Sequence, residues 1–223
     1  MRSSILRLHY TLFEEYGDLG WWPADGPFEV AVGAILTQNT SWNNVETAIE
    51  SLKSEGALCP SRIAAMNMTE LESLVRPSGF FRQKARYLKQ LASHIEREYS
   101  GDITAMSSLP MERVRAELLS LRGVGPETAD TIMLYALRMP SFVVDAYTVR
   151  LLRRLGICDG DSHASIKAAF EEALDRDIAK LANAHAMIVD HCKSVCRPTP
   201  RCVLCPLREM CSEAEKQEER VSD

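Results

Sequence analysis

The chain has 223 residues, of which 46% are hydrophobic, so it is long enough to bury a core in one or two compact domains. No apolar run approaches the roughly 18 residues of a membrane span, and the N-terminal segment lacks the apolar core of a secretory signal. We therefore expect a cytoplasmic protein with no membrane partner. A net charge of −5 does not by itself indicate a nucleic-acid-binding protein.

The sequence predicts an all-α protein. Apolar residues recur at helical spacing from residue 3 to Tyr16, and Pro27 opens a second, almost wholly apolar helix that ends at the polar residues 37–40. No alternating pattern of the kind typical of strands is present in the sequence. Further helices are predicted at 42–54, within 60–77, at 82–99, from about 110 to 121, from 126 to about 138, and at 146–155, 162–174 and 177–193.

Two adjacent tryptophans, Trp21 and Trp22, follow the first helix. Neighbouring residues cannot both lie on one stripe of a helix, so at least one ring faces elsewhere. That ring could line a cavity or fill a hydrophobic contact between domains, and the residues alone leave both alternatives open. Trp42, at the start of the third helix, is another candidate for a cavity wall.

A tight turn, Gly123-Val124-Gly125, separates two predicted helices, and Pro126 opens the second of them. Two glycines let the backbone approach a ligand closely, and the N–H groups of the turn and of the helix start point outward. Such a turn suits a phosphate and reads no base edge. The alternative is an ordinary glycine-containing turn between helices.

A single carboxylate, Asp145, follows the apolar run Phe142-Val143-Val144 and precedes the helix predicted at 146–155. An aspartate at this position commonly caps a helix N-terminus, which is its simplest interpretation. However, Asp145 follows the glycine turn by 20 residues, and a candidate phosphate-binding turn followed by a carboxylate after an apolar run favours a functional role for Asp145.

The C-terminal part of the chain is rich in cysteine. From Cys196 the spacing is C-x5-C-x2-C-x5-C, ending at Cys211, and Cys192 lies one helical turn before it. Four thiolates within 16 residues predict a metal site, and a reducing compartment disfavours disulfides. The spacing alone leaves zinc and an iron–sulfur cluster open.

The segments LRGVGPETAD and VVDAYTVRLLRRLG resemble the helix-hairpin-helix and the Gly/Pro…Asp loop of the endonuclease III superfamily of DNA glycosylases. The WWP segment is similar to that of the 3-methyladenine DNA glycosylase III branch, and the order of motifs along the chain matches that of the family. The resemblance implies two helical domains that flank a DNA cleft. We expect residues 20–137 to form a six-helix domain that contains the hairpin at about 112–138. Residues 1–19 with 138–223 would form an iron–sulfur domain whose tail, 213–223, we expect to be disordered.

The resemblance also implies roles for individual residues. Asp145 would be the catalytic carboxylate, and Gln38 would fill the gap left by an extruded nucleotide. The base pocket would be lined by Trp21, Trp22 and Trp42. The DNA-contacting residues would be Gln38, Asn39, Gly123, Val124, Gly125, Thr128, Arg201 and Arg208. The main-chain carbonyls of Leu119, Leu121 and Val124 would hold a monovalent cation.

In this family the cysteines hold a [4Fe–4S] cluster, with the pattern C-x6-C-x2-C-x5-C. Here the first loop is one residue shorter, which leaves Cys192 as an alternative to Cys196 for the first ligand. We expect a structural [4Fe–4S] cluster, with zinc as the lesser alternative. Its ligands would be Cys196, Cys202, Cys205 and Cys211.

One departure from the family pattern is informative. Bifunctional members carry a lysine as the second residue after the glycine turn, where it acts as the Schiff-base nucleophile. Glu127 stands there instead, and the chain has no lysine between Lys89 and Lys167. Glu127 is itself a candidate catalytic residue that could polarise water, or it could simply favour the positive end of the helix dipole.

The sequence therefore predicts a monofunctional DNA glycosylase that hydrolyses the N-glycosidic bond of an alkylated base such as 3-methyladenine in double-stranded DNA and acts as a monomer. A bifunctional glycosylase/AP lyase for oxidised pyrimidines and a glycosylase for T or U opposite G are the enzymatic alternatives. A non-catalytic DNA-binding module with a structural metal is the alternative from another class.

Overall fold

A computed structural model describes residues 1–158 and 160–214. These residues form helices, turns and loops and contain no strand, so the predicted all-α class is confirmed. The chain divides into two compact units, which we call the hairpin unit, Trp22–Met139, and the cluster unit, Met1–Trp21 together with the described residues from Pro140 onward. The tail expected at 213–223 lies, beyond Ala214, outside the described residues.

The hairpin unit is built around one helix, α2, whose residues are buried on all sides from Glu29 to Leu36. This follows from its almost wholly apolar sequence, which leaves no face suited to water. Helix α2 packs against α3, α6 and α8. The α-helices of this unit are α2 (Pro27–Leu36), α3 (Trp42–Ser54), α4 (Pro60–Ala65), α5 (Met68–Leu74), α6 (Phe81–Tyr99), α7 (Met111–Ser120) and α8 (Pro126–Thr131), with 3-10 turns at Arg76–Ser78 and Ile103–Ser108.

The second helix of the hairpin differs from the sequence prediction in form and length. After Thr131 it widens into a π-helical segment, Ile132–Ala136, and it ends two residues before Arg138. Arg138 adopts a left-handed conformation with φ of 54°, which terminates the helix ahead of Pro140. All five residues of the π-helical segment are buried, and the segment packs against α2.

The cluster unit contains α1 (Arg2–Tyr16), α9 (Ala146–Leu155), α10 (His163–Ala173) and α11 (Ile178–Ser194). Helix α1 packs on α10 and α11, and α11 packs on α9. The rings of Phe142 and Phe170 stack with their centroids 3.9 Å apart and are fully buried. The cysteine loop follows α11 with two short 3-10 turns, Cys202–Leu204 and Arg208–Met210. Among the described residues, no helix combines the length and the apolar character that crossing a membrane requires.

Candidate functional site

The two glycines of the hairpin turn have different structural requirements. Gly123 has a φ of +89°, and a Cβ at this position would overlap the ring of Tyr87 from α6. Gly125 has a φ of −88°, and a Cβ there would meet nothing within 4 Å. Glycine at 123 is therefore needed by the fold, whereas Gly125 leaves open space beside the N-terminus of α8.

An ion pair fixes the two hairpin helices against each other. Arg115 of α7 donates from Nε to Asp130 Oδ1 of α8 at 2.9 Å and from a terminal nitrogen to Oδ2 at 3.3 Å. The Asp130 side chain is buried, so this two-point contact supplies the partner that a buried carboxylate requires.

Gln38, just beyond the end of α2, is bound to the hairpin. Its Nε2 donates to the Gly123 carbonyl at 2.8 Å and to Thr128 Oγ1 at 3.0 Å. The predicted DNA contact Thr128 is thus a buried partner of Gln38. Asn39 is exposed with φ of 53°, a conformation that asparagine tolerates better than most residues.

A buried lysine that the sequence analysis did not single out supports this loop. Lys84 of α6 is 2% exposed and donates to the carbonyls of Leu36 at 2.8 Å and Ser78 at 2.6 Å. Burial lowers the pKa of Lys84 from 10.5 to about 8. Helical spacing could have indicated this burial, because Lys84 lies on the same face of α6 as the buried Leu88 and Leu91.

Two of the three predicted pocket tryptophans, Trp22 and Trp42, lie together in the hairpin unit. The Trp22 ring packs edge-on against Trp42, with centroids 5.2 Å apart, and lies tilted against Tyr135, with centroids 5.5 Å apart. Trp22 also lies so close to α2 that a Cβ on Gly33 would meet it at 3.3 Å. Trp21 belongs to the cluster unit, where the Lys193 ammonium lies 5.5 Å from its ring centroid. Tyr135 is the aromatic member that the sequence analysis missed.

Asp145 is a buried N-cap. Its Oδ1 accepts from the Thr148 backbone N–H at 2.7 Å, and its Oδ2 lies 3.6 Å from Nε2 of His185 on α11. Burial by itself would raise the pKa of Asp145, but His185 and then Thr148 outweigh it, so the pKa of this carboxyl lies below its usual value of 3.8. A carboxylate only 7% exposed is therefore held ionised.

The segment that leads to Asp145 is fixed by an ion pair on α10. Lys167 contacts Glu171 at 2.7 Å and donates to Ser141 Oγ at 2.5 Å. Glu171 in turn accepts from the Phe142 N–H at 3.1 Å. This network positions the apolar run whose end carries the carboxylate.

All four predicted cysteine ligands, Cys196, Cys202, Cys205 and Cys211, line one cavity, together with apolar side chains such as Leu151 and Leu207. Within residues 1–158 and 160–214, however, no three His, Cys, Asp or Glu side chains are gathered closely enough to hold one metal ion.

The environment of Cys196 differs from that of Cys192. Arg154 donates to Cys196 Sγ at 3.3 Å and also to backbone carbonyls of the loop. The hydrogen bond from Cys192, followed by Arg154, lowers the pKa of the Cys196 thiol. Cys192 does not line the cavity, and its thiol lies 3.6 Å from the Tyr147 carbonyl.

The remaining predicted residues lie at the surface or in the turn. Glu127 is exposed in the first turn of α8, and Arg201 and Arg208 are exposed in the cysteine loop. Of the three carbonyls expected to hold a cation, that of Leu121 accepts from the Val124 N–H at 3.1 Å and retains a second lone pair. The other two belong to Leu119 and Val124.

The chain is similar to several known DNA repair proteins. The family model of the HhH-GPD superfamily of base excision DNA repair proteins matches residues 32–176 of the sequence. A protein of Methanocaldococcus jannaschii, provisionally named as a DNA repair glycosylase, is 45% identical over 210 residues, which cover 93% of this chain and 95% of that protein. The thymine-DNA glycosylase of Aeropyrum pernix is 30% identical over 209 residues, 89% of each chain.

Among solved structures, the 3-methyladenine DNA glycosylase of H. pylori bound to 1,N6-ethenoadenine is similar to this chain, with 29% identity and a TM-score of 0.73. The match covers 86% of this chain and 96% of that one.

Proposed function

The chain belongs to the HhH-GPD superfamily of base excision DNA repair proteins and is a DNA glycosylase, and from this premise we propose that it is a monofunctional enzyme that releases an alkylated base. The observation that carries the proposal is the buried, ionised carboxylate of Asp145 at the end of an apolar run. As the C1′–N bond breaks, its electron pair leaves with the base and positive charge develops on the sugar. A carboxylate in a low-dielectric site stabilises that charge strongly.

The pKa of Asp145 favours one role over another. A carboxyl whose pKa is below its usual value is a weak proton acceptor, so Asp145 acts by its charge and by orienting the attacking water rather than by taking its proton. The water oxygen bonds to C1′, and its proton passes to solvent. An already cationic leaving base needs no protonation, which suits a site with a single ionised carboxylate.

The aromatic cluster of Trp22, Trp42 and Tyr135 supports a flat, electron-poor base as substrate. Aromatic faces attract a cationic ring by stacking and by cation–π interaction. The H. pylori relative is itself named as a 3-methyladenine DNA glycosylase. We propose that Trp22, Trp42 and Tyr135 form the part of the base pocket that lies in the hairpin unit. The role of Trp21, which lies beside Lys193 in the cluster unit, stays a prediction.

The presence of Glu127 in place of a lysine supports monofunctional chemistry. Glu127 occupies the place that the nucleophilic amine holds in bifunctional relatives, and a carboxylate cannot form a Schiff base. We propose that Glu127 stays at the helix N-terminus, where the dipole favours a negative charge.

DNA contact is proposed for two regions. In the hairpin unit, the open space at Gly125 admits a phosphate to the N–H groups of α8, next to Gln38 and Asn39. A monovalent cation on the carbonyls of Leu119, Leu121 and Val124 would add positive charge there. In the cluster unit, the exposed Arg201 and Arg208 would meet further phosphates.

We propose that the cysteine cavity holds an iron–sulfur cluster, because four cysteine thiols line it together with apolar side chains. Four thiolates suit either a [4Fe–4S] cluster or a zinc ion, and the resemblance to the endonuclease III family favours the cluster. Cys196, Cys202, Cys205 and Cys211 would hold the cluster, whose role would be to fix the loop that carries Arg201 and Arg208.

A single-turnover assay tests the proposal. Duplexes that carry 3-methyladenine, thymine glycol, or uracil or thymine opposite G are incubated with wild type and with Asp145→Asn. We expect breaks only after alkali and only for the methylated base, and at least a hundredfold slower release by Asp145→Asn with DNA binding kept. Full activity of the variant would remove Asp145 from the mechanism.

The second candidate is a mismatch glycosylase, because the Aeropyrum pernix relative is named as a thymine-DNA glycosylase. Release of thymine or uracil opposite G, without release of 3-methyladenine, would select it. Breaks without alkali, together with a borohydride-trapped complex, would select a bifunctional enzyme. Binding without turnover on every duplex would select a non-catalytic module.

A further inference from the structure

The two oxygens of the Asp145 carboxylate face different partners. Oδ1 is occupied by the Thr148 N–H, whereas Oδ2 faces Nε2 of His185 at 3.6 Å. Both side chains are almost fully buried, so water screens their interaction little. An imidazole Nε2–H that faces a carboxylate oxygen attracts it, whereas an unprotonated Nε2 would face it as a second acceptor.

Packing fixes the imidazole in place. The His185 ring stands edge-on to Phe142, with centroids 6.4 Å apart and planes at 89°. Phe142 is itself fully buried and stacked on Phe170, and its N–H is bound by Glu171. The same apolar run that delivers Asp145 therefore also sets the angle of the histidine.

We propose that His185 is the positioning residue of the glycosidic step: it donates from Nε2 toward Asp145 Oδ2, and so keeps the carboxylate charged and oriented in a buried site. The inference rests on the proposed function of Asp145 and extends it to a residue on another helix. A buried carboxylate without a donor on its second oxygen would favour its neutral form, and a neutral acid cannot stabilise positive charge on the sugar.

Other ionisable groups near Asp145 do not replace His185. Cys192 lies further along α11, and its thiol is neutral, because its hydrogen bond to Cys196, followed by burial, raises its pKa. Arg150 of α9 donates to the carbonyls of Cys192 and Cys196. Its guanidinium thus already has partners at the end of α11 and in the cysteine loop.

The test measures the Asp145 carboxyl directly, by its ¹³C NMR titration in the full-length protein, and compares it with the pH profile of single-turnover base release. His185→Leu removes the Nε2 donor, whereas His185→Gln keeps a side-chain N–H donor. His163→Gln, at an exposed position on α10, is the matched control.

We expect His185→Leu to raise the pKa of Asp145 by about one unit or more and to move the acid limb of the rate profile upward by the same amount. His185→Gln should show a smaller rise, and His163→Gln none. Because burial remains while the stabilising donor is lost, the shift must be upward. One unit corresponds to a tenfold change in the ionisation equilibrium.

An unchanged Asp145 titration in folded His185→Leu would overturn the proposal, as would a uniformly slower enzyme whose acid limb does not move. If His185→Leu fails to fold, as judged by circular dichroism, the His185→Gln titration decides in the same way. The NMR titration needs no substrate. Failure of wild type to release any base would therefore count against the proposed function, while the titration would still decide whether His185 holds Asp145 in its charged form.

Discussion

Gln38 and Thr128 are joined by a hydrogen bond of 3.0 Å, and the same Gln38 amide donates to the Gly123 carbonyl. The loop after α2 and the hairpin turn therefore form one assembly within the hairpin unit. If Gln38 enters the gap left by an extruded nucleotide, it must first leave these two partners. The hydrogen bonds of the free protein then oppose DNA binding.

Replacing Thr128 by valine tests this competition. The substitution keeps the shape of the side chain and removes one hydrogen-bond acceptor of Gln38. Loss of this hydrogen bond destabilises the DNA-free protein by about 0.5–1.5 kcal/mol. We expect Thr128→Val to bind a duplex with an abasic site about two- to tenfold more tightly than wild type, measured by fluorescence anisotropy. Thr47→Val, on the exposed face of α3, is the control. Weaker binding by Thr128→Val would mean that Gln38 acts as a brace for the hairpin.

The two glycines of the turn form a matched pair. Gly123→Ala places a Cβ in the ring of Tyr87 at a positive φ, so we expect a loss of about 2 kcal/mol or more and a melting temperature lower by at least about 4 °C. Gly125→Ala has space and an ordinary φ, so its melting temperature should stay that of wild type, while its affinity for DNA falls by about tenfold. Calorimetry and anisotropy measure the two effects. Equal melting temperatures, or wild-type affinity of Gly125→Ala, would contradict this division.

The cysteine loop offers a comparison of neighbouring residues. We expect Cys196→Ser to lose the brown colour and the iron of the purified protein, because its thiol lines the cavity. Cys192→Ser should keep both, because the Cys192 thiol does not line the cavity and lies 3.6 Å from the Tyr147 carbonyl. Visible absorption and metal analysis on anaerobically purified protein give the answer. The reverse pattern would make Cys192 the first ligand, and stoichiometric zinc without iron would exclude the cluster.

The sequence was sufficient for the fold class and the family, and both predictions are confirmed. The reason is that the deciding signals are local: a glycine turn followed by an N1 proline, an apolar run ending at Asp145, and regular helical stripes. Such features are encoded within a dozen residues and need no knowledge of tertiary contacts.

What the sequence did not predict depends on contacts between distant segments. His185 has no local pattern that marks it, and only the packing of α11 on α9 brings it to Asp145. Thr128 sits on the expected helix, but its burial against Gln38 depends on how α2 meets the hairpin. Tyr135 joins Trp22 through the π-helical segment, which changes the register of the buried face.

Lys84 connects stability to the loop that carries Gln38. Its ammonium donates to the carbonyls of Leu36 and Ser78, so Lys84→Met leaves two buried acceptors without this donor. An unsatisfied buried acceptor costs about 1–3 kcal/mol, and relief from burying a charge offsets part of that. We expect the variant to be less stable than wild type at pH 7 in urea unfolding, and to bind DNA more weakly because the end of α2 is loosened. Lys180→Met, at an exposed position, is the control.

The lowered pKa of Lys84 also predicts how the stability difference between wild type and Lys84→Met changes with pH. Because the pKa of Lys84 is lowered to about 8 from 10.5, the unfolded chain binds more protons than the folded chain between these two values. The contribution of this lysine to stability is therefore constant below pH 8 and rises from pH 8 towards 10.5. Lys84→Met lacks that contribution, so the stability difference between wild type and variant should widen over this range. A difference that stays constant from about pH 7 to about pH 10 would mean that the lysine keeps its usual pKa, and that its two carbonyl partners fully compensate the burial of its charge.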